Sequence, residues 1–282
     1  MNDLIIGGCT NYGINELKPW VLSINEVCGE NVTKVMCVGN ASQETRDWLL
    51  EQGFAIVDMP QIPNIPVHVL RFLSIHNYLR EHWNLYRFVV TTDVKDVYFQ
   101  SNPFTWLEEN LLDSKLVAGS ESIRYKDESW GNENLYQTYG PYVYEQFCNN
   151  EIYNVGTIGG VSEYVKDLVF NIFTNATNRP IPIVDQAVYN VLIKTQPYKD
   201  IVFFAKQSDG WACQAGTTVD PSKIDGFRPH LLEAEPNFID DVVLTSMGTP
   251  FAIVHQYDRV PEWKKFVKSK YKQEDMITFR TT

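Results

Sequence analysis

Phe88-Val89-Val90-Thr91-Thr92-Asp93-Val94-Lys95-Asp96-Val97-Tyr98-Phe99-Gln100 is the stretch on which the reading of this chain turns. Residues 88–92 form an aromatic and β-branched run, the pattern of a buried strand. The run stops at Asp93, and Asp96 follows three residues later. A strand that ends in two carboxylates sets hard oxygen donors at one edge of a sheet. A divalent cation that already holds a diphosphate needs few protein ligands, so two carboxylates and one further group would suffice. A plainer reading exists: one Asp closes the strand and the other caps the next turn. Spacing alone leaves both open.

Upstream of this stretch, residues 67–83 place Val69, Phe72, Leu73, Leu79 and Trp83 on one face. That spacing predicts an amphipathic helix with Arg71, Ser74 and Tyr78 turned elsewhere. Earlier still lie three short apolar runs, at 4–7, 35–38 and 54–57, each stopped by Gly, Asn or Asp. A helix-like segment with Trp20, Leu22 and Val27 separates the first two. Ser42 reads as an N-cap for a second helix over 45–52. A loop studded with Pro60, Pro63 and Pro66 follows the third run. Strands alternating with helices predict an α/β fold: a mixed, mostly parallel sheet flanked by helices. Ligands in such sheets sit at the carboxyl ends of the strands. Downstream, 116–118 reads as another short strand. Residues 119–150 are rich in Tyr, Trp, Asn and Glu with weak periodicity, and read as loops and short helices over the site.

Three later elements carry chemistry-bearing residues. Tyr153-Asn154-Val155-Gly156-Thr157-Ile158-Gly159-Gly160 suggests a backbone that something approaches closely, although an ordinary turn has the same look. Asp185-Gln186 follows two prolines and opens a helix, whose N-terminus favours anions; Asp185 as a plain N-cap is the competing reading. In Ala252-Ile253-Val254-His255-Gln256-Tyr257-Asp258-Arg259 an apolar strand delivers a histidine, and Lys264 and Lys265 come shortly after. His68, His76 and His82 lie on or beside the amphipathic helix and read as surface residues, and His230 sits in a proline-flanked loop.

The composition bounds the partners. With 282 residues, 44% hydrophobic and 21% charged, the chain reads as one globular unit with no repeat or linker. A net charge of −11 argues against duplex nucleic acid, whose phosphates it would repel. No apolar run approaches the roughly 18 residues of a membrane span, and the N-terminus lacks the pattern of a signal peptide. Five cysteines at irregular spacing form neither a zinc pattern nor a disulfide framework. The expectation is a soluble, cytoplasmic protein.

Taken in order, the run from Asp93 through Asp96 to Phe104, then Asn154 to Gly160, then Asp185-Gln186, then His255 to Arg259, resembles the signature of GT-A fold, nucleotide-sugar-dependent glycosyltransferases. The opening Gly8-Cys9-Thr10-Asn11-Tyr12-Gly13 is similar to the first nucleotide-contacting loop of that fold. The usual metal motif there is Asp-x-Asp. Here Lys95 takes the third position and Asp96 the fourth, as in an Asp-x-Lys/Arg-Asp subgroup. Size and motif set look closest to enzymes that some large algal viruses encode to glycosylate their capsid protein, one of them a xylosyltransferase.

The resemblance implies a single domain over 1–282, with a nucleotide-sugar-binding half at 1–118 and an acceptor-binding, metal-completing half at 119–282. It implies a nucleotide-sugar donor, a UDP-sugar foremost, a glycan or glycoprotein acceptor, and Mn2+ or Mg2+ held by Asp93, Asp96 and His255. Thr10, Asn11 and Tyr12 would meet base and ribose. Arg71 would reach Asp93 or the donor, and Arg259, Lys264 or Lys265 would add charge to the leaving group. Asn154, Gly156 and Gly159 would approach donor sugar or acceptor. Asp185 would act as base in an inverting reaction, and Asp185 or Gln186 would lie beneath the anomeric carbon in a retaining one. Trp130, Tyr136, Tyr139, Trp211 and Tyr257 are candidates for a sugar-stacking wall. The rivals are a non-catalytic sugar- or nucleotide-binding module and a sugar nucleotidyltransferase. The latter calls for a basic residue in the glycine-rich loop after the first strand, and residues 7–13 hold no Lys or Arg.

Overall fold

A computed structural model describes residues 1–272. The first six elements alternate: β1 (Asn2–Cys9), α1 (Ile14–Val27), β2 (Val32–Val38), α2 (Gln43–Glu51), β3 (Ala55–Asp58) and α3 (Val67–His82). Ser42 caps α2 as its residue type suggests, accepting from the Thr45 amide at 3.2 Å. Next come β4 (Tyr86–Thr92), β5 (Val97–Phe99), α4 (Pro103–Asn110), β6 (Leu116–Arg124), α5 (Ser129–Phe147), β7 (Glu151–Val161), α6 (Ser162–Ala176) and α7 (Asp185–Ile193). The last third holds β8 (Val202–Ala205), β9 (Ala212–Gln214), the short helices α8 (Ala215–Thr218) and α9 (Ile224–Phe227), β10 (Asn237–Ile239), β11 (Val242–Leu244), β12 (Ile253–His255) and α10 (Pro261–Lys270).

The main sheet runs β3-β2-β1-β4-β7-β6-β8. All its neighbours are parallel except β7, which is antiparallel to both β4 and β6. The mixed, mostly parallel α/β reading therefore holds. One core lies under α3, α6 and α7, with Phe72, Ile75, Leu168, Val169 and Val188 buried against the sheet. The other lies under α1 and α4, centred on Trp20, Phe54, Phe99 and Trp211. Two sheet faces covered by helices explain why the strands are continuous apolar runs rather than alternating ones.

Several expectations are corrected. The glycine-rich stretch at 153–160 is no turn; it lies inside β7, paired along 157–161 with β4. The strand foreseen at 116–118 continues to Arg124 with breaks in register after Ala118 and Ser120. Most of 129–147 is helix α5, kinked where Gly140 takes φ +74 ahead of Pro141. Weak periodicity hid it because its buried residues, Gly131, Asn134, Leu135, Thr138 and Phe147, do not form an apolar stripe. Ser74, read as turned away from the core, is buried and donates to the Leu70 carbonyl at 3.2 Å. The five cysteines are all free. Among the described residues no helix is long and apolar enough to cross a membrane.

Candidate active site

A second, three-stranded sheet, β5-β12-β9, assembles the site. In its registers His255 lies opposite both Val97 and Gln214. The histidine that ends β12 therefore stands beside Asp96, and the Gln256 amide donates to the Asp96 carbonyl at 2.7 Å. Asp93 is fixed from two sides. Its amide donates to the Gly156 carbonyl at 2.9 Å. Its carbonyl accepts at 2.7 Å from Thr92 Oγ1, which itself accepts from the buried Trp20 Nε1 at 2.8 Å.

Asp93, Asp96 and His255 each bring a ligand atom within 4.8 Å of the others. His255 Nε2 lies 3.4 Å from Asp93 Oδ2 and 3.8 Å from Asp96 Oδ1. His255 Nδ1 is 2.8 Å from Gln214 Oε1, while Gln214 Nε2 donates to Thr157 Oγ1 at 2.9 Å. The Gln214 oxygen can only accept, so the imidazole proton sits on Nδ1 and Nε2 turns its lone pair to the carboxylates. Burial lowers the His255 pKa from its ordinary value, with Asp96 and Glu121 opposing the shift. A neutral ring with a free Nε2 between two carboxylates fits a divalent cation.

Asp93 and His255 open onto a cavity of about 590 Å³, also lined by Tyr12, Arg71, Glu121, Asn154, Asp185 and Gln186, and Asp96 stands behind them. Arg71 is on α3. It contacts Asp93 directly and lies 3.4 Å from Asp185 Oδ2, so one guanidinium joins the two acids. Burial lowers its pKa and Asp185 opposes that. Asp185 is the first residue of α7, not its N-cap; Val184 holds that position. Arg259 Nη2 is 3.8 Å from Asp96 Oδ2 and reaches the cavity. Gly156 lies under the acids: a Cβ there would come within 2.8 Å of Asp93 Oδ2, so only glycine fits. Lys95 Nζ sits 5.7 Å from the centre of the Tyr12 ring.

Other foreseen residues fall elsewhere. Thr10 and Asn11 bind Asn40, with Thr10 Oγ1 accepting from its amide at 3.1 Å and Asn11 Oδ1 from its Nδ2 at 2.7 Å. Thr10 lines a neighbouring recess of about 450 Å³ with Met59 and Leu70 rather than the main cavity. Gly159 is in the core, where a Cβ would meet the Trp211 ring at 2.8 Å. Trp211 is 0% exposed and Tyr257 is buried, so neither can stack a sugar. Arg179 lies over the Tyr139 ring, and Tyr136 meets Tyr144 edge to face. Of the five aromatics named for a stacking wall, Trp130 alone lines the cavity, with 49% of it exposed. Lys264 and Lys265 are exposed on α10 and do not line the cavity.

Sequence reading missed four contributors. Glu121, Gln214 and Thr217 are buried side chains whose partners are distant in sequence. His68, taken for a surface residue, lines the cavity and places Nε2 2.8 Å from the Pro182 carbonyl. A charge set between two serines just past an apolar run, Ser120-Glu121-Ser122, was the available signal for Glu121.

No protein-family model matches the chain, and no curated protein matches it by sequence. Solved structures do resemble it in fold. The apo form of WbbM, a bifunctional glycosyltransferase, superposes with a TM-score of 0.56 at 11% identity over 97% of this chain; the chain spans about half of that protein, 52% of it. The galactosyltransferase LgtC in complex with donor and acceptor sugar analogues gives 0.53 at 14% identity, over 94% of this chain and 95% of that one. Apo mouse xyloside xylosyltransferase 1 gives 0.51 at 11% identity, over 90% and 97%. The fold is the GT-A fold.

Proposed function

We propose that the protein is a metal-dependent glycosyltransferase that moves a sugar from a nucleotide-sugar donor, a UDP-sugar and most narrowly UDP-xylose, to a hydroxyl of a glycan or glycoprotein. The observation that carries this reading is the Asp93, Asp96 and His255 corner, with its histidine tautomer set by Gln214, open to a large polar cavity. The GT-A fold supports it. A pentosyl or a hexosyl donor would fit the same description.

Asp93, Asp96 and His255 would hold Mn2+ or Mg2+, which when bound neutralises charge on a departing diphosphate. Arg259 adds a cation on the same side. Tyr12 lines the cavity, and Thr10 and Asn11 precede it in the same loop and would meet base and ribose with it. Arg71 holds Asp93 and Asp185 together and limits where the donor can lie. Asn154 and Gly156 border the acids and would meet donor sugar. The acceptor oxygen attacks the anomeric carbon as its bond to the diphosphate breaks. Asp185 would take the acceptor proton in an inverting reaction; Gln186 would lie beneath the anomeric carbon in a retaining one. Trp130 offers the acceptor an exposed ring at the rim.

A thermal-shift and hydrolysis screen of UDP- and GDP-sugars, with and without Mn2+, tests the proposal. The expected result is a melting shift and release of UDP that both require the metal. No shift and no release with any nucleotide sugar would sink it.

A further inference from the structure

The floor of the cavity holds a carboxylate that the chemistry above does not use. Glu121, on β6, is 5% exposed and accepts three hydrogen bonds. Asn154 Nδ2 donates to Oε1 at 2.7 Å, Gln186 Nε2 to the same oxygen at 3.0 Å, and Thr217 Oγ1 to Oε2 at 2.8 Å. The backbone is bent to bring it there. Ser122 adopts φ +57, a left-handed conformation unusual for serine, and the β6 register breaks on either side of Ser120. The Ser122 amide donates to Ser120 Oγ at 2.7 Å, and Ser122 Oγ accepts from the Glu233 amide at 2.9 Å, which holds the bend.

The orientation of each amide follows. Asn154 Oδ1 accepts from the Gly156 amide at 2.7 Å, so its Nδ2 must face Glu121. Glu121 Oε1 is therefore an acceptor, with or without a proton on Oε2. Gln186 can meet that oxygen only through its Nε2, so its carbonyl oxygen is the end left for the cavity. The Gln186 backbone is pinned independently. Asn190 Nδ2 donates to the Gln186 carbonyl and to the Tyr153 carbonyl, each at 2.8 Å, tying α7 to β7. What remains to fix is the Gln186 side chain, and Glu121 fixes it.

We propose that Glu121 is a positioning residue, which acts through Gln186 by holding its amide so that the carbonyl oxygen, and not the NH2 group, faces the donor sugar. This rests on the transferase reading. A fixed, aprotic oxygen can stabilise positive charge that develops at the anomeric carbon, whereas an NH2 group in its place would oppose it.

Two measurements test it on the full-length protein. The Gln186 side-chain NH2 signals, assigned in NMR spectra by their loss in Gln186→Ala, should exchange slowly in the wild type and fast in Glu121→Met. Equal exchange in the two overturns the proposal whether or not the protein is an enzyme. In turnover of a UDP-sugar with Mn2+, Glu121→Met should lower kcat about 10–100-fold, the usual cost of losing a residue that orients a reacting group, with donor KM little changed. Glu121→Gln should restore most of it, because its oxygen still accepts from both amides while its NH2 turns to Thr217 Oγ1. In a Gln186→Ala background Glu121→Met should cost nothing further. Additive losses, or a Glu121→Gln variant as impaired as Glu121→Met, would overturn the positioning role. Should Glu121→Met fail to fold, Thr217→Val loosens the same carboxylate and should give a smaller fall that also vanishes beside Gln186→Ala. A wild type that turns over no nucleotide sugar, yet shows the expected amide exchange, sinks the transferase reading alone.

Discussion

The acid pair Asp93 and Asp96 and the single acid Glu121, gathered at one cavity, are satisfied in different ways. At the corner of Asp93, Asp96 and His255 the two Asp side chains are 32% and 17% exposed; Arg71 contacts Asp93 directly, while His255 and Arg259 come no closer than 3.4 Å to either acid. On the floor Glu121 is buried and takes three short hydrogen bonds from the protein itself. A buried carboxyl must be satisfied largely from within. The partly exposed pair is compensated at Asp93 Oδ1 by Arg71, while Asp93 Oδ2 and Asp96 face the His255 ring, an arrangement that leaves room for a cation from solution. The difference is between a corner compensated in part and a carboxyl fixed by three hydrogen bonds.

The largest expected effect breaks the corner. Asp93→Ala, or chelation with EDTA, should lower transfer by about 10³-fold or more, several kcal/mol of lost charge stabilisation. The variant takes one partner from the buried Arg71 and leaves it Asp185, so it should stay folded with a modestly lower melt. Calorimetry gives the companion measurement: equal affinity for a UDP-sugar with and without Mn2+ would falsify the metal role.

Asp185→Asn probes the acid that Arg71 joins to Asp93. Loss of a general base costs about 10²–10⁴-fold in rate. Because Asp185 is the first helical residue and not the cap, Asn there should leave the melt almost unchanged. Its tie to Arg71 is the contact at risk. Wild-type turnover would remove Asp185 from the chemistry.

Gln214→Leu touches neither acid and releases the His255 tautomer. Removal of such an outer partner costs about 10–100-fold in metal affinity. Mn2+ titration should show this with the fold intact, and an unchanged affinity would mean that the Gln214 contact does not matter.

The smallest effect concerns pH. As the proposed metal ligand His255 would be neutral, and burial holds its pKa below the ordinary 6.5. As pH falls, protonation competes only after that lowered value is approached. Mn2+ affinity should therefore be level from about pH 8 to about pH 6.5, then fall by at most about tenfold per pH unit from this one group. A decline that starts above pH 6.5 would show that His255 is not depressed, or is not the ligand. In the metal-free protein the same group removes stability as pH falls from 6.5 through its lowered folded value, since the unfolded chain takes the proton first.

Much was legible without coordinates. Apolar runs at 4–7, 35–38, 54–57 and 88–92 marked the first four strands of the main sheet, and the helical spacing after 67 marked α3. These signals are local, because a buried strand or an amphipathic helix writes its period into adjacent residues. The residues Asp93, Asp96 and His255 were picked out from their places at strand ends, and the registers of β5, β12 and β9 bring them together. The direction of β7 was not legible, since apolar residues look the same in a parallel and an antiparallel strand.

Adjacent residues were enough to mark the first four strands of the main sheet, α3 and the carboxylates that follow β4. Which polar side chains meet in the cavity, and which way each turns, came from contacts between distant segments. Gly159 and Trp211, taken for site residues, went to the core because their strands place them against each other. Glu121, unnoticed, became the hub of the floor through a bend at Ser122 and partners on β7, α7 and α8. The physical reason is one of range. Propensity and period act over a few residues, whereas pairing register, burial and the convergence of donors on one oxygen depend on segments far apart in the chain.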